Sequence, residues 1–406
     1  MSASRILRLG ALALFAAASE MRAQDFIEQL DQHLTLSAFH DQLRARVSGT
    51  LDLEFYAFDL PPPGLIDATS EALFNPRLTL FLDSQIGPAL YFFAQARFDR
   101  HFDPSDLGAQ ARLDEYALRF TPWEDGRVSV QIGKFATVVG RWVQRHLSWD
   151  NPFLNAPLIY ENITAIEDRA APASRYLDSE LTDEKYEYNP VVWGPSYTSG
   201  ASVAGQLGKF DYAVELKNAS LSSRPESWDA TRVGFSHPTV SGRLGFRPSE
   251  AWNFGISASS GPYFQSLAAP TLPAGRDRRD YREMLLAQDV SWEWHHIQIW
   301  AEFHEARFEI PLTGDADVFG YFLEAKYKFT PQFFAALRWN QQFFGNVSDG
   351  FGGEKPWGHD AWRADAAVAY RFTPHLQLKL QYDLEHGDTA RRGFGHLFGA
   401  QFTVRF

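Results

Sequence analysis

The sequence has no cysteine and, after its first residues, no long apolar run. Without cysteine, the chain can form neither a disulfide framework nor a thiolate metal site. A membrane-spanning helix needs about 20 consecutive, mainly apolar residues, so the lack of such runs excludes a helical membrane protein. The formal net charge of −12 also disfavours a nucleic-acid partner, because proteins that bind nucleic acids carry basic patches.

Aromatic residues, in contrast, are plentiful: they make up 15% of a chain whose mean hydropathy is only −0.30. This combination is typical of a transmembrane β-barrel, which places its apolar side chains at alternate positions and so keeps a low mean hydropathy. The length of 406 residues suits one large barrel or two soluble domains.

Residues 1–23 are predicted to be a signal peptide. Arg5 and Arg8 give it a basic start, residues 9–18 are its apolar core, and Ala23 ends a small-residue cleavage site. An uncleaved anchor helix is the alternative. The apolar core is too short for it, because a membrane span needs about 20 residues.

The next segment, residues 24–43, has Phe26, Leu30 and Leu34 at helical spacing among acidic residues. This spacing predicts a short helix or a loose segment. A plug for the barrel or an oligomer contact is the alternative role for this segment.

The rest of the chain, residues 44–406, alternates apolar and polar residues with the period of two that marks a strand with one apolar face. In the first such strand, for example, Leu51 and Leu53 point to one side and Asp52 to the other. Strands are predicted at about 44–58, 75–84, 89–101, 110–121, 127–137, 200–207, 210–218, 236–247, 252–261, 281–294, 296–309, 317–330, 333–345, 361–373, 375–387 and 395–406. The predicted fold class is therefore all-β, a transmembrane antiparallel β-barrel of about 16 strands.

The connections between these strands alternate between short turns and longer loops. Short turns at one end and longer loops at the other, on an even number of antiparallel strands, are the signature of outer-membrane barrels. Both chain ends then lie at the short-turn, periplasmic end, which makes residues 24–43 a periplasmic segment. The longest connection, residues 138–198, is the third long loop in chain order. Just before it, Gly133 predicts a β-bulge that turns Lys134 toward the lumen.

The last predicted strand has Phe398 and Phe402 on its apolar face and ends at Phe406. This terminal aromatic resembles the closing strand of Gram-negative outer-membrane β-barrels. Together with the strand number and the long third loop, it resembles the sixteen-stranded porin family, although that family's usual acidic loop motif does not occur here. The Gly-Lys-Phe step at residues 133–135 is also similar to anion-type and carbohydrate-type porins. The resemblance implies an outer-membrane location, a homotrimer, and a third loop that narrows the barrel.

The inward face of the predicted barrel carries a basic stripe on its first four strands. This stripe either creates a transverse field across a water-filled pore or forms cross-strand ion pairs that stiffen the wall. The long loop adds basic and indole side chains that could bind an anionic or sugar-like solute, or could simply pack the loop against the wall. The predicted pore-lining and constriction residues are Arg46, Arg77, Arg97, Arg119, Lys134, Arg141, Arg145, His146, Trp149 and Arg338.

The predicted function is that of an outer-membrane porin through which small hydrophilic solutes diffuse passively. Its partners are then the outer-membrane lipid and those solutes, with no cofactor, metal ion or nucleic acid. The alternatives are a surface or binding protein whose lumen the long loop blocks, and an outer-membrane hydrolase. Glu302 and His304 lie two positions apart on one strand face and could act as a base, but no nucleophile can be assigned to them, so no enzyme is predicted.

Overall fold

The computed structural model describes residues 33–60, 62, 64–100, 104–172, 187–387 and 393–406. The predicted signal peptide and the first part of the N-terminal segment lie outside these ranges. The described chain consists mainly of long β-strands, with a few short 3-10 helices in the loops. None of the helices in these ranges is long and apolar enough to cross a membrane.

Sixteen antiparallel strands form the wall of a closed barrel. They are β1 (Leu43–Phe58), β2 (Ala72–Ile86), β3 (Leu90–Arg100), β4 (Ala109–Phe120), β5 (Ser129–Phe135), β6 (Thr198–Leu207), β7 (Phe210–Lys217), β8 (Thr239–Phe246), β9 (Trp252–Pro262), β10 (Arg282–Trp294), β11 (Ile297–Ile310), β12 (Gly314–Lys328), β13 (Phe333–Phe344), β14 (Ala361–Thr373), β15 (Leu376–His386) and β16 (Gly395–Arg405). Each strand pairs with the next along the chain, and β16 returns to β1 in a register that aligns Phe402 with Leu53. The predicted fold class and strand number are confirmed.

The wall separates side chains by polarity, because successive side chains of a strand point to opposite faces. On β13, Leu337 is 65% exposed on the outer face, whereas its neighbour Arg338 points into the lumen and is 2% exposed. Exposed leucine, valine and aromatic side chains continue this pattern on the other strands. They form an apolar belt around the barrel, which is the surface that such a barrel presents to lipid.

The β-bulge near the long loop lies on β4, and not on β5 where the sequence predicted it. The predicted bulge at Gly133 is wrong, because β5 keeps an unbroken register with both neighbouring strands. The extra residue is Asp114 of β4, which the register with β3 skips. Lys134 is buried and its ammonium donates to the main-chain oxygen of Leu113 at 2.7 Å, so it does not reach an open part of the lumen.

A short strand, Thr35–Ala38, extends the wall at the short-turn end. It pairs with residues 43–46 of β1, below the point where β16 ends opposite Thr50. An unpaired strand edge presents free main-chain donors and acceptors, and this strand satisfies those of β1. The described part of the N-terminal segment therefore contains a strand where the residue spacing predicted a helix.

Candidate functional site

We call the connection from β5 to β6, residues 136–197, the interior loop, and its residues 136–172 and 187–197 run inside the barrel. Its described parts are buried deeply against the wall. Trp142 and Tyr160 of the loop share one buried apolar cluster with the inward-facing Phe308 and Phe322 of β11 and β12. Apolar side chains that face a barrel interior would otherwise meet water, so burying them holds the loop against this side of the lumen.

Charged side chains of the wall hold the interior loop by its main chain. The Lys379 ammonium of β15 donates to the main-chain oxygens of Ser148, Asn151 and Phe153 at 2.8, 3.1 and 3.3 Å. The Arg338 guanidinium of β13 donates to the Asn155 side-chain oxygen at 2.7 Å. Both cations are buried, and hydrogen bonds to charged groups are stronger than neutral ones. These contacts fix the middle of the loop on β13 and β15.

The carboxylate of Glu302 on β11 holds the start of the loop in the same way. It accepts hydrogen bonds from the main-chain amides of Arg141 and Trp142 at 2.7 and 2.5 Å. The Tyr160 hydroxyl donates to it at 2.5 Å, and His304 Nε2 lies 3.1 Å away. Glu302 and His304, which the sequence suggested as a base, are thus both buried parts of a loop anchor.

The turn at Gly140 lets the chain approach this anchor closely. Gly140 has a φ of +76°, in the left-handed region that favours glycine. A Cβ atom added there would lie 2.0 Å from the Tyr160 hydroxyl and 2.8 Å from the Glu302 carboxylate. The close packing of the loop on β11 therefore depends on glycine at this position.

The opposite side of the lumen, along β1 to β4, is less covered. The side chains of Arg77, Arg97 and Arg112 remain 14%, 12% and 18% exposed, whereas those of Arg338 and Lys379 are fully buried. These three guanidiniums lie on β2, β3 and β4 and face the lumen side by side. We call them the arginine row.

Every member of the arginine row is paired with carboxylates of the wall. Arg77 contacts Asp52 and Glu54 of β1. Arg97 lies 2.9 Å from Asp114, and Arg112 lies 2.9 Å from Asp99. The row is therefore a set of alternating charges rather than a purely positive surface. Both interpretations of the basic stripe therefore hold in part. The guanidiniums form cross-strand ion pairs, and they also remain in contact with the solvent of the lumen.

Two of the remaining predicted site residues, Arg46 and Arg119, lie on the wall toward the short-turn end. Arg119 is exposed there, over the rings of Tyr91 and Phe93 at 5.7 and 5.6 Å, and Arg46 is also exposed. The other four are the loop residues Arg141, Arg145, His146 and Trp149, which the structure distributes differently, and His146 is described below. Arg141 is partly exposed, Arg145 pairs with Glu324 of β12, and Trp149 is buried beneath two guanidiniums of β14 and β16.

Sequence reasoning missed Arg112, Asp114 and the anchor roles of Lys379 and Glu302. The bulge at Asp114 hides the first two, because it changes the alternation that assigns inward and outward residues. Lys379 and Glu302 do stand at inward positions of their strands in the sequence. Their contacts with the loop could not be predicted, since the partners are more than 150 residues away.

His146 gives the interior loop an expected sensitivity to acid. Burial lowers the pKa of His146 from 6.5 to about 4. The neutral ring has its Nδ1 2.5 Å from the Val143 oxygen and its Nε2 2.5 Å from the Tyr197 hydroxyl. Because the folded-state pKa lies below the unfolded value, this ring stabilises the fold fully above pH 6.5, and the contribution is lost as the pH falls toward about 4. We expect opening of the interior loop, measured by hydrogen exchange of its main-chain amides relative to their intrinsic rates, to increase between neutral pH and about pH 4.5.

A His146→Gln variant should show less of this increase, since glutamine does not titrate. Gln144→Asn is the matched control, because Gln144 is an exposed residue of the same 3-10 turn. An increase of the same size in the His146→Gln variant and the wild type would contradict the assignment.

No protein-family model and no curated protein matches the chain. Solved structures of outer-membrane proteins do match. OmpT of Vibrio cholerae in its trimer form has a TM-score of 0.55 and 10% identity, over 90% of this chain and 99% of that one. OmpF of Salmonella typhi, in a complex with daunomycin, has a TM-score of 0.56 and 10% identity, over 91% and 100%. An anion-selective porin of Comamonas acidovorans has a TM-score of 0.54 and 11% identity, over 90% and 100%.

These comparisons extend over nearly the whole length of each similar chain, but at so low an identity they show the fold alone. The fold and the apolar belt together indicate the outer membrane as the location of the chain. The short turns then lie on the periplasmic side and the longer loops outside the cell.

Proposed function

We propose that this chain, which has the fold of the outer-membrane porins, is itself a porin through which small hydrophilic solutes diffuse passively. The observation that carries the proposal is the uneven cover of the lumen by the interior loop. The loop seals the wall at β11 to β15, where the anchoring side chains are buried, and leaves the arginine row on β2 to β4 partly exposed. Solutes would pass between the loop and the arginine row.

The paired charges of the row determine which solutes suit this path. Guanidiniums and carboxylates fixed beside each other replace the hydration of a polar solute and offer little to an apolar one. Anionic and sugar-like solutes are included in the proposal, because guanidiniums bind carboxylates and hydroxyl groups well. No energy source is involved, and the solute follows its concentration gradient.

A barrel closed by the interior loop, acting as a surface or binding protein, is the second candidate. The observation that favours it is the extent of the loop contacts, which include hydrogen bonds to β11, β13 and β15 and a large apolar cluster. The two candidates differ in one measurable property, since only an open path conducts ions.

Single-channel recording of the refolded protein in a planar bilayer tests the proposal. Stable steps are expected for a porin, and a silent protein with an intact β-barrel spectrum would contradict it. In a KCl gradient, we expect the triple variant Arg77→Gln, Arg97→Gln and Arg112→Gln to shift the reversal potential toward cation selectivity. The shift is expected because Asp52, Glu54, Asp99 and Asp114 would lose their counter-charges.

The control for this shift is Arg307→Gln. Arg307 is an exposed arginine that is paired with Asp315 and Asp317 outside the lumen. This variant removes one positive charge from the outer wall, where the triple variant removes three from the lumen, and it should leave the reversal potential unchanged. An equal shift in the control would show that the arginine row does not line the path.

The proposal extends to assembly and to the absence of catalysis. We propose a homotrimer, the form named for one OmpT structure of Vibrio cholerae. Cross-linking of the protein in membranes checks it. We also propose that Glu302 and His304 serve structure rather than hydrolysis, since the carboxylate already accepts hydrogen bonds from two loop amides and a tyrosine.

A further inference from the structure

A group of cations lies in the lumen beneath the interior loop, at the periplasmic end and away from the arginine row. It comprises Arg145 of the loop, Lys326 and Lys328 of β12, Arg371 of β14 and Arg405 of β16. We call it the periplasmic cation cluster. None of these residues is needed for the proposed path along β2 to β4.

The cluster is built around aromatic rings. The guanidinium carbons of Arg371 and Arg405 lie 4.8 and 5.5 Å from the centre of the Trp149 ring. Arg371 also donates to the Trp149 main-chain oxygen at 3.0 Å and to Gln377 at 2.8 Å. The Lys326 ammonium lies 4.3 Å from the centre of the Phe334 ring. These contacts hold three cations in place without neutralising any of them.

The charges of the cluster are not balanced by nearby acids. Lys326 is repelled by Lys328, Arg371 and Arg145, and Glu324 is the carboxylate that attracts it most strongly among the described residues. That carboxylate already forms a 2.5 Å ion pair with Arg145. Arg371 is likewise repelled by Arg405 and attracted by Asp150 alone. The cluster therefore carries an excess of positive charge.

The arginine row, in contrast, has no such excess of positive charge. Each arginine of the row has a carboxylate within 4.0 Å. Among the residues that the structure describes, Lys326, Arg371 and Arg405 form no salt bridge with any carboxylate, and Lys326 forms no hydrogen bond although it is only 8% exposed. The Lys326 ammonium still reaches solvent, as does the exposed Arg405 guanidinium, so a solute can contact both. Like charges held close together repel each other, which favours a ligand that supplies the missing negative charge.

We infer that the periplasmic cation cluster binds a small oxyanion with more than one negative charge, a di- or tricarboxylate or a phosphate. Its negative groups would pair with the Lys326 ammonium and the Arg371 and Arg405 guanidiniums. Guanidiniums suit such groups because they donate two parallel hydrogen bonds to one carboxylate or phosphate. The inference rests on the proposed function only for the orientation of the barrel and not for passage of a solute.

Equilibrium binding tests this inference apart from conduction. Citrate and inorganic phosphate are titrated separately into the folded full-length protein in detergent at low salt, with heat as the readout. We expect one of them to bind, with an affinity that falls as salt is added. The ligand that binds more tightly identifies carboxylate or phosphate as the chemistry of the site. A silent channel would overturn the porin proposal but would leave this binding unaffected.

The informative variant is Lys326→Met, because the ammonium of Lys326 makes no hydrogen bond that the fold could lose among the described residues. We expect it to weaken binding by about tenfold or more, the usual effect of losing one charge-assisted contact. Arg405→Gln should act in the same direction. Arg307→Gln, on the outer wall, should bind like the wild type. Absence of binding by the wild type, or equal binding by Lys326→Met and the wild type, would overturn the inference.

Discussion

Replacement of Lys379 by methionine is expected to release the middle of the interior loop and to add a larger conductance level to single-channel recordings. The ammonium serves three main-chain oxygens, those of Ser148, Asn151 and Phe153. Each buried oxygen that loses its only donor costs about 1–3 kcal/mol. Because every ~1.4 kcal/mol changes the ratio of two states about tenfold, a loop that is almost always docked should become detached for a measurable part of the time.

Lys328→Met is the matched control for this effect. It removes the same charge from the lumen, but Lys328 is exposed and has no contact with the loop among the described residues. The control should alter the current only through its charge and should add no new level. If Lys379→Met shows the wild-type step alone, the loop does not depend on the lysine anchor.

Replacement of Leu337 by arginine is expected to cause the largest loss of folding free energy. Leu337 lies near the middle of β13 and is exposed in the apolar belt. An arginine on the lipid-facing side near the bilayer centre costs about 2–4 kcal/mol. Urea-dependent folding into phospholipid vesicles measures this loss as a lower midpoint with an unchanged slope.

Gln332→Arg adds the same side chain to the exposed turn between β12 and β13, outside the lipid. It should change the folding midpoint only slightly. Equal losses in the two variants would mean that Leu337 does not face lipid and that the apolar belt has another role.

The strands could be predicted from the sequence because their signals are local. Alternation of apolar and polar residues and the short turns between them require only neighbouring residues, and all sixteen strands followed from them. The exceptions were positions where contacts with distant segments override the local sequence pattern. Residues 35–38 follow Phe26, Leu30 and Leu34, whose helical spacing predicted a helix, but they pair with the open edge of β1. The bulge at Asp114 has no marker as clear as Gly133.

The site was predictable only in part, and for a physical reason. Arg77 and Arg97 could be placed on the lumen face, because the period of two assigns a face to each residue of a strand. The place of the interior loop could not be derived in this way. The indole side chains of the loop and His146 looked like solute contacts in the sequence, yet the indole of Trp142 packs in the apolar cluster and His146 bonds within the loop. Whether an aromatic side chain of the loop is buried or faces the lumen depends on contacts between distant segments.

Two of the anchors of the interior loop, Lys379 and Glu302, contact mainly its main chain. Lys379 binds three carbonyl oxygens and Glu302 binds two amides, groups that every residue except proline provides. Substitutions of loop side chains that take no part in the anchors, unlike Gly140, Asn155 and Tyr160, therefore leave these main-chain contacts in place. The wall can therefore hold loops of different sequence in the same position. For the porin proposed above, the admitted solutes would then diverge among descendants without any change in the barrel.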